Sequence, residues 1–363
     1  MRIIYLINLF FQKRVDLVLK KIIKHIKWLL NSIINLYDYY KLVDDETYIF
    51  ISHNGDSAGG APVVLYELIK SINNDYKIVL LCKKPGSILD LCKTQKINAL
   101  NCYLLEKIYI EIAVRKKVRL FFVNTVASVE EIKTIMKLTD NIPSFWWIHE
   151  EKNYLLKYKN KLPDVLTENI KVLSVSEKVK SDLISISSVF KEKNSIFFYG
   201  CSDLAANDEK TKRNNSKYVV SVIGRVCERK NQLQIIKAYD YLSQDIKDRL
   251  YVNFIYASFD EVYMENLKKL SKQNPHFIFV GPVERDNMKT VYDTSDLIIC
   301  SSIDDPLPVV ITEAMMLKCP FITSSHTGQY ALIENGYNGF SYNVESDEAL
   351  ADCITQVYNC IDL

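Results

Sequence analysis

Two cations lie at a predicted strand-to-helix turn in the second half of the chain. The segment Gly224–Asn231 follows an apolar run that predicts a strand ending near Ile223, and a helix is expected to begin near Lys230. Arg225 and Lys230 therefore converge where backbone N–H groups are free and a helix dipole is positive. A diphosphate needs this combination. The segment is neither a Walker A loop nor G-x-G-x-x-G, and a solvated basic turn is the alternative.

A second segment brings carboxylates to the end of another predicted strand. Asp304 and Asp305 follow that strand, and the apolar stretch after them predicts a helix that contains Glu313. A carboxylate in an apolar run is costly unless it accepts hydrogen bonds. Ribose hydroxyls are suitable donors for Glu313, and Asp305, eight residues earlier, is placed to meet another part of the same ligand. The alternative is a capping acid and an exposed glutamate.

Two further strand ends with candidate residues lie in the first half of the chain. The segment His53–Pro62 contains Gly59 and Gly60, which allow the backbone to approach a ligand closely, and Pro62 suits a first helical turn. His149 ends a run that contains two tryptophans. A histidine in such a place is more often a core or capping residue than a catalytic one.

The elements that must position these residues are strands alternating with helices, a pattern that predicts parallel sheets covered on both faces. Residues 204–216 are polar and form the linker candidate. We expect a helical segment at 1–44, an acceptor-side Rossmann-like domain at 45–203 and a donor-binding Rossmann-like domain at 217–363, with their sheets facing a central cleft. The predicted strands are Thr47–His53, Asp75–Cys82, Val118–Thr125, Pro143–His149, Ile170–Ser176, Asn194–Gly200, Lys217–Arg225, Leu250–Ala257, His276–Val283, Asp296–Ser302, Pro320–Ser325 and Gly339–Asn343.

The first 41 residues are much more basic than the rest of the chain. They hold eight Lys or Arg and two Asp, a charge of +6, whereas the whole chain carries +2 and the remainder therefore −4. Residues 15–40 show helical periodicity, with an apolar face from Ile22 to Tyr40. Such a helix can lie on an anionic membrane surface; packing on its own domain is the alternative. The negative remainder disfavours nucleic acid as a partner.

Composition argues against disulfide, metal and membrane-spanning classes. The nine cysteines include no C-x-x-C pair and their number is odd, which favours buried thiols in a reducing compartment. The five histidines show no ligand spacing, so no metal site is expected. No signal-peptide cleavage site follows the N-terminal apolar stretch, and the uncharged run Trp28–Tyr37 is too short to span a bilayer.

The two charged segments together resemble retaining glycosyltransferase family 4, of the GT-B fold, which includes bacterial polysaccharide-type enzymes. The Gly-Arg…Lys and E-x7-E elements are that family's strongest signatures, and the resemblance covers most of residues 47–345. It implies that Arg225 and Lys230 bind the donor diphosphate and that Glu313 binds the ribose. The first acid of the pair, usually Glu, contacts the donor sugar; here it is Asp305, and Asp304 could share this contact.

The resemblance extends to the first half of the chain. It implies that Gly59 and Gly60 belong to a glycine loop beside the donor phosphates and the acceptor, and that His149 contacts the donor sugar near the transferred carbon. The catalytic set is then His149, Asp305, Arg225 and Lys230. The donor-binding set is Gly59, Gly60, Gly224, Arg225, Lys230, Asp305, Leu307, Pro308, Val309 and Glu313.

These residues predict transfer of a sugar from a nucleotide-diphosphate sugar to a glycan or lipid-linked acceptor. Arg225 and Lys230 would oppose the charge that grows on the leaving diphosphate, so neither a metal nor a cofactor is expected. The resemblance implies retention, with same-face attack assisted by the departing phosphate. We expect a cytoplasmic protein, peripheral on the inner face of the plasma membrane, that serves surface polysaccharide or capsule synthesis.

Two other functional classes share this sequence organisation. A sugar-nucleotide epimerase of the same two-domain plan would need acid and base groups in the cleft. A non-catalytic scaffold of the same fold would be expected to lose the motif charges, whereas Arg225, Lys230 and Glu313 are all present.

Overall fold

The computed structural model describes residues 2–56, 60–201, 217–271 and 274–361. The chain divides into two compact units. The N-terminal unit comprises Met1–His149, Leu155–Ser174 and Ile184–Tyr199, and the C-terminal unit comprises Glu150–Tyr154, Val175–Leu183 and Gly200–Leu363. The predicted linker 204–216 lies outside the described residues.

Among its described residues, the first half of the chain contains seven strands, all parallel, in one sheet. The strands are β1 (Tyr48–Ser52), β2 (Ile78–Cys82), β3 (Asn98–Asn101), β4 (Leu120–Asn124), β5 (Ser144–Ile148), β6 (Ile170–Ser174) and β7 (Asn194–Ile196). The helices are α1 (Arg2–Leu42), α2 (Gly60–Ile72), α3 (Ser87–Thr94), α4 (Glu106–Arg115), α5 (Val129–Leu138), α6 (Lys152–Leu156) and α7 (Glu177–Ile186). The strand order is β3-β2-β1-β4-β5-β6-β7.

The second half contains a six-stranded sheet that is also parallel throughout. Its strands are β8 (Tyr218–Ile223), β9 (Leu250–Ile255), β10 (Phe277–Gly281), β11 (Leu297–Cys300), β12 (Phe321–Ser324) and β13 (Phe340–Tyr342). Its helices are α8 (Leu233–Asp240), α9 (Gln244–Arg249), α10 (Glu261–Ser271), α11 (Met288–Thr294), α12 (Val309–Met316) and α13 (Asp347–Ile361). The strand order is β10-β9-β8-β11-β12-β13.

The inner strands of both sheets are buried on two faces, which explains why they are continuous apolar runs. All residues of β2 and of β11 are buried. Along β11, Leu297 and Ile299 pack in one core cluster and Ile298 and Cys300 in another, because successive side chains point to opposite faces. The first cluster is covered by α8, α10 and α13 and the second by α11 and α12. The predicted arrangement of two Rossmann-like parallel sheets is therefore confirmed.

Strand β3 is the element that the hydrophobic pattern does not predict. Its four residues begin and end with asparagine, and only Asn101 is buried. The strand lies at the edge of the sheet, where α1 packs beside it. Asn101 Nδ2 donates a hydrogen bond to the carbonyl of Trp28 on α1 at 2.6 Å. Edge strands are often covered in this way.

Helix α1 packs on the N-terminal unit with one face only. Tyr39 and Ser32 are fully buried, and Tyr109 of α4 donates a hydrogen bond to the Ser32 carbonyl at 2.6 Å. The opposite face carries exposed apolar side chains. The predicted N-terminal amphipathic helix is therefore confirmed. One of its faces is buried against the N-terminal unit, and the opposite face carries exposed apolar side chains. No helix among the described residues is long and apolar enough to cross a membrane.

The turn after β8 differs from its prediction. A 3-10 turn covers Glu228–Lys230, Asn231 adopts a left-handed conformation with φ 54°, and the α-helix begins only at Leu233. The α-helix therefore begins three residues after Lys230, near which the sequence predicts its start. Asn231 ends the short turn because asparagine tolerates this conformation better than most residues. Lys230 consequently lies before the helix and outside its first turn.

Candidate functional site

The carboxyl end of β8 presents Lys230 across a glycine. Gly224 has φ +142°, a conformation that favours glycine, and a Cβ there would lie 3.6 Å from Cε and 3.8 Å from Nζ of Lys230. The lysine side chain thus runs over the glycine backbone. Its own main chain is held by the neighbouring strand end, because Ser301 Oγ donates to the Lys230 carbonyl at 3.0 Å.

Lys230 and Asp305 form a largely buried ion pair at the adjacent ends of β8 and β11, with 17% and 9% of their side-chain surfaces exposed. Lys230 Nζ lies 2.6 Å from Asp305 Oδ2, and the Arg229 guanidinium approaches the same oxygen at 3.5 Å. Burial would raise the pKa of the Asp305 carboxyl, but Lys230 and Arg229 outweigh it and lower that pKa. Burial would likewise lower the pKa of Lys230, yet Asp305 holds it above its usual value. Both groups are therefore charged at neutral pH.

Asp304 makes a different set of contacts from its neighbour. Lys178, at the start of α7, contacts Asp304 Oδ1 at 2.5 Å and Asp182 Oδ2 at 2.8 Å. The Asp304 carbonyl accepts a hydrogen bond from Arg229 Nη1 at 2.7 Å. The two consecutive aspartates are thus held by separate cations, Asp304 by Lys178 and Asp305 by Lys230.

The loop after Asp305 is locked in place by its neighbours. Ser176 Oγ donates to the Pro306 carbonyl at 2.6 Å, and the Gly328 amide donates to the Asp305 carbonyl at 2.9 Å. A Cβ on Gly328 would lie 1.8 Å from the Pro306 oxygen, so no other residue fits there without displacing the loop. Gly328 thus holds the aspartate loop by close backbone contact.

A cavity of about 730 Å³ opens at the same edge of the C-terminal sheet. It is lined by residues that follow three strands: Arg229 after β8, Asp304 after β11 and His326 after β12. Lys178 and Asp182 also line it. Ligands of parallel sheets bind at the carboxyl ends of the strands, so this position suits a binding site and its lining suits a polar ligand.

Glu313 lies on α12 and is buried, with 1% of its surface exposed. Tyr292 of α11 donates a hydrogen bond to Glu313 Oε2 at 2.6 Å. Arg285, itself half exposed, places Nη1 2.5 Å from Oε1. Burial raises the pKa of Tyr292 and the Glu313 carboxylate adds to this effect, so the tyrosine hydroxyl stays protonated and donates. A guanidinium and a phenol thus compensate the buried carboxylate.

The other predicted donor-binding residues of this unit lie near the same strand ends. Arg225 is exposed and forms no ion pair with any carboxylate among the described residues. Leu307 is buried, Pro308 directly precedes α12, and Val309 is its first residue. In the structure, Lys230 thus lies over Gly224 and contacts Asp305, while Glu313 makes separate contacts with Arg285 and Tyr292.

The N-terminal unit presents histidines at the carboxyl edge of its sheet. His149 follows β5 and is buried between Trp147, with ring centroids 4.2 Å apart, and Tyr199, at 5.9 Å. Burial, aided by the neighbouring His53, lowers the pKa of His149 to about 3. Burial, with Lys83 and Lys84, lowers that of His53 to about 4. Both imidazoles are therefore neutral at physiological pH.

A strained residue lies beside His53. Thr125, directly after β4, has φ 75° and ψ 155°, which is a rare conformation for a β-branched residue. Its hydroxyl lies 3.0 Å from His53 Nδ1, and its carbonyl accepts a hydrogen bond from the Trp146 indole at 2.8 Å. Gly60 begins α2, and Gly59 lies outside the described residues. Strain of this kind is typical of ligand-binding edges.

Four charged or hydroxylated contact residues were not singled out by sequence reasoning. Arg229 adjoins Lys230 inside the motif, and its charge was visible there. Lys178, Arg285 and Tyr292 lie outside both motifs and reach Asp304 or Glu313 only through the tertiary structure. No local spacing signals these pairings.

The described residues contain no cluster of His, Cys, Asp or Glu that could hold a metal ion. The nine cysteines form no disulfide among the described residues; six are buried as the sequence predicts, whereas Cys201 and Cys227 are half-buried and Cys360 is exposed.

The sequence is similar to a known protein family and to several glycosyltransferases. Residues 204–362 match the family model described as glycosyl transferases group 1. An uncharacterized glycosyltransferase of Methanocaldococcus jannaschii is 23% identical over 51% of this chain and 50% of its own length. The Escherichia coli UDP-Gal:alpha-D-GlcNAc-diphosphoundecaprenol alpha-1,3-galactosyltransferase is 22% identical over 40% of this chain and 37% of its own. The matched stretches thus span half or less of these relatives.

Solved structures extend the likeness to both units. The crystal structure of Anabaena HepE in complex with UDP and glucose matches with a TM-score of 0.64 and 16% identity. The match covers 86% of this chain and 89% of that one. At this identity the likeness shows the fold alone, and the predicted GT-B fold class is confirmed.

Proposed function

We propose that this GT-B chain, whose residues 204–362 match the family model of glycosyl transferases group 1, is a glycosyltransferase acting on a nucleotide-diphosphate sugar. The acceptor is a glycan or a lipid-linked glycan, and the product serves surface polysaccharide synthesis. The observation that carries this proposal is the set of paired charges at the ends of β8 and β11, where Lys230, Asp305 and Arg229 meet.

The donor diphosphate is assigned to the Gly224–Lys230 turn. As the glycosidic bond breaks, negative charge grows on the leaving oxygen, and preorganised cations lower the energy of that state. Lys230 is partly neutralised by Asp305, so the exposed Arg225 and the half-exposed Arg229 add the positive charge that a diphosphate needs. Neither a metal nor a cofactor is required by this scheme.

The ribose is assigned to Glu313 and the donor sugar to Asp305. Glu313 accepts a hydrogen bond from Tyr292 on Oε2 and forms an ion pair with Arg285 through Oε1, which accepts no hydrogen bond from the described residues, so both oxygens have a lone pair for a hydroxyl. Asp304 and Asp305 are each held by a lysine, and we assign Asp305 to the sugar because it is the first acid of the pair that ends at Glu313. His149 stays a candidate for contact with the transferred sugar, since a neutral imidazole both donates to and accepts from hydroxyls. Retention, with attack on the same face, is the expected outcome.

The acceptor proposal includes the membrane. The outer face of α1 is apolar and the first 41 residues carry +6, which suits binding to an anionic bilayer. We assign the protein to the cytoplasmic face of the plasma membrane, where a lipid-linked acceptor is found. The galactosyltransferase of E. coli named above acts on a diphosphoundecaprenol-linked sugar, which supports an acceptor of this class.

The decisive test is incubation of the full chain with UDP-glucose, UDP-galactose, UDP-N-acetylglucosamine and GDP-mannose, followed by mass spectrometry. Slow transfer to water is expected to release a free sugar and a nucleoside diphosphate from one donor. An epimerase would instead yield an isomeric sugar nucleotide. A scaffold would neither consume nor bind any donor, and either result would overturn the proposal.

A further inference from the structure

The outer face of α1 carries a continuous stripe of half-exposed apolar side chains. Their spacing of three and four residues places them on one side of the helix. Each exposes between 48% and 64% of its surface. We call this set the apolar stripe: Leu19, Ile22, Ile26, Leu30, Ile33, Tyr37 and Tyr40. Apolar side chains exposed in one row are typical of a surface that binds a partner or a membrane.

The stripe has a fixed orientation because the inner face of α1 is tied to the N-terminal unit. Tyr39 Oη donates to the Tyr109 carbonyl at 3.1 Å, and Tyr109 Oη donates to the Ser32 carbonyl at 2.6 Å. Tyr103 Oη lies 2.7 Å from His25 Nδ1. These contacts span more than three turns of the helix, so the stripe faces away from the unit along that length.

The C-terminal end of the stripe meets a second basic element. Lys116, which follows α4, places Nζ 4.0 Å from the ring centroid of Tyr40. On the helix itself, Lys41 lies 4.0 Å from the ring of Tyr37. Lysines over exposed tyrosine rings place charge at the border of the apolar surface, as at a membrane interface.

Lys116 belongs to a run of cations at the end of α4. Arg115, Lys117 and Arg119 are exposed beside it, and no acid interrupts residues 115–119. We call Arg115, Lys116, Lys117 and Arg119 the basic cluster. It lies far from α1 in sequence and next to Tyr40 in space, and it therefore enlarges the charged border of the stripe.

We propose that the basic cluster and the apolar stripe form one surface that binds an anionic phospholipid bilayer. The stripe enters the headgroup boundary, and the basic cluster binds lipid phosphates beside Tyr40. We infer an anionic bilayer as the partner from charge, because a row of apolar side chains bordered by cations on two elements complements an anionic lipid surface. This inference rests on the membrane contact of α1 proposed above and is independent of the donor chemistry.

The test compares two matched lysine pairs in the full chain. Lys116→Glu/Lys117→Glu reverses the charge of the basic cluster. Lys268→Glu/Lys269→Glu is the control, because these lysines also lie at the end of a helix, α10, and are exposed in the other unit. Both double variants therefore change the net charge equally. Both also place acidic side chains at a helix C-terminus, where the helix dipole disfavours negative charge and lowers the stability by a similar amount.

Binding is measured by co-sedimentation with phosphatidylcholine vesicles containing 30% phosphatidylglycerol and with pure phosphatidylcholine vesicles. The cluster variant should bind the anionic vesicles at least about 25-fold more weakly than the control, since loss of each of the two lysine charges near the surface changes affinity about fivefold. The wild-type affinity should fall as salt rises. Equal binding by both variants would overturn the proposal.

A third variant separates this inference from the proposal on α1. Ile26→Asp/Ile33→Asp alters exposed positions only and should abolish binding to both vesicle types. If it does so while the basic cluster variant binds normally, the cluster has no membrane role. If the wild-type chain binds no vesicles, both membrane assignments fail. This result is expected if an acidic protein, and not a bilayer, covers this face. Donor hydrolysis would then still test the enzymatic proposal.

Discussion

The candidate site residues at the carboxyl edges of the two sheets are of opposite kinds. In the C-terminal unit the edge holds charged pairs, with Asp305 on Lys230 and Glu313 on Arg285. In the N-terminal unit it holds the imidazoles of His53 and His149, whose pKa values burial lowers to about 4 and about 3. The candidate residues are therefore fixed charges at one edge and neutral donors and acceptors at the other, where Lys83 and Glu131 form a separate ion pair.

This difference indicates which part of a substrate each edge suits. Preorganised charges stabilise a ligand whose charge changes during the reaction, such as a leaving diphosphate. Neutral imidazoles match neutral hydroxyl groups, because each ring both donates and accepts a hydrogen bond. The proposed donor site in the C-terminal unit and the candidate sugar contact at His149 agree with this division.

The largest expected effect comes from breaking the charged edge at Lys230. Lys230→Ala should reduce turnover about 10²–10³-fold, because the leaving group loses a preorganised cation. Arg225→Ala should also weaken diphosphate binding and turnover, without a loss of stability, since its side chain is exposed. Initial rates and calorimetry with UDP and GDP measure both effects.

Lys237→Ala is the matched control for these two variants, since this exposed lysine lies one helix turn along α8. It should behave like wild type. Wild-type binding and turnover in both Arg225→Ala and Lys230→Ala would show that the diphosphate site lies elsewhere.

A smaller effect is expected at the ribose end of the charged edge. Glu313→Gln should weaken UDP binding by about 1–3 kcal/mol, because a charge-assisted hydrogen bond becomes a neutral one. Calorimetry gives the affinity and thermal unfolding gives the stability. Glu345→Gln, at an exposed position, should change neither. A large fall in melting temperature with unchanged UDP affinity would show that Glu313 only supports the structure.

The burial of His149 at the neutral edge should make the free energy of unfolding depend on pH. His149 has a folded pKa of about 3 against 6.5 for the ordinary side chain, so the unfolded state binds the proton first as pH falls. Stability should therefore decline below about pH 6.5, by about 2 kcal/mol between pH 7 and pH 5 from this residue. Denaturant unfolding followed in wild type and His149→Gln measures it. The variant should lose less stability over this range, and identical curves would contradict a desolvated His149.

The smallest effect is expected at Arg285. This side chain is half exposed, so water can partly replace it, and Arg285→Ala should lower the free energy of unfolding by about 1 kcal/mol. Arg285→Lys should retain most of the stability, because a cation still faces Glu313. Denaturant unfolding of both variants gives the comparison. Equal losses in the two would mean that packing, rather than charge, is what Arg285 supplies.

The hydrophobic pattern was sufficient for most of the fold. Twelve predicted strands appear, each within a few residues of its predicted bounds, because strands buried on both faces must be apolar throughout. β3 was missed because an edge strand that begins and ends with asparagine has no such pattern. The helix after β8 was placed too early because Asn231 interrupts it through a backbone conformation that composition does not reveal.

The sequence by itself determined the motifs, the two parallel sheets and the amphipathic nature of α1, since these depend on local order and period. Only the tertiary structure decided how the charges are paired. Lys230 meets Asp305 across 75 residues, and Lys178 meets Asp304 across 126. It also decided that α1 buries Tyr39 and exposes Tyr40. The physical reason is that strand ends distant in the chain become neighbours only when the sheet forms, and a buried charge is then stable only beside its partner.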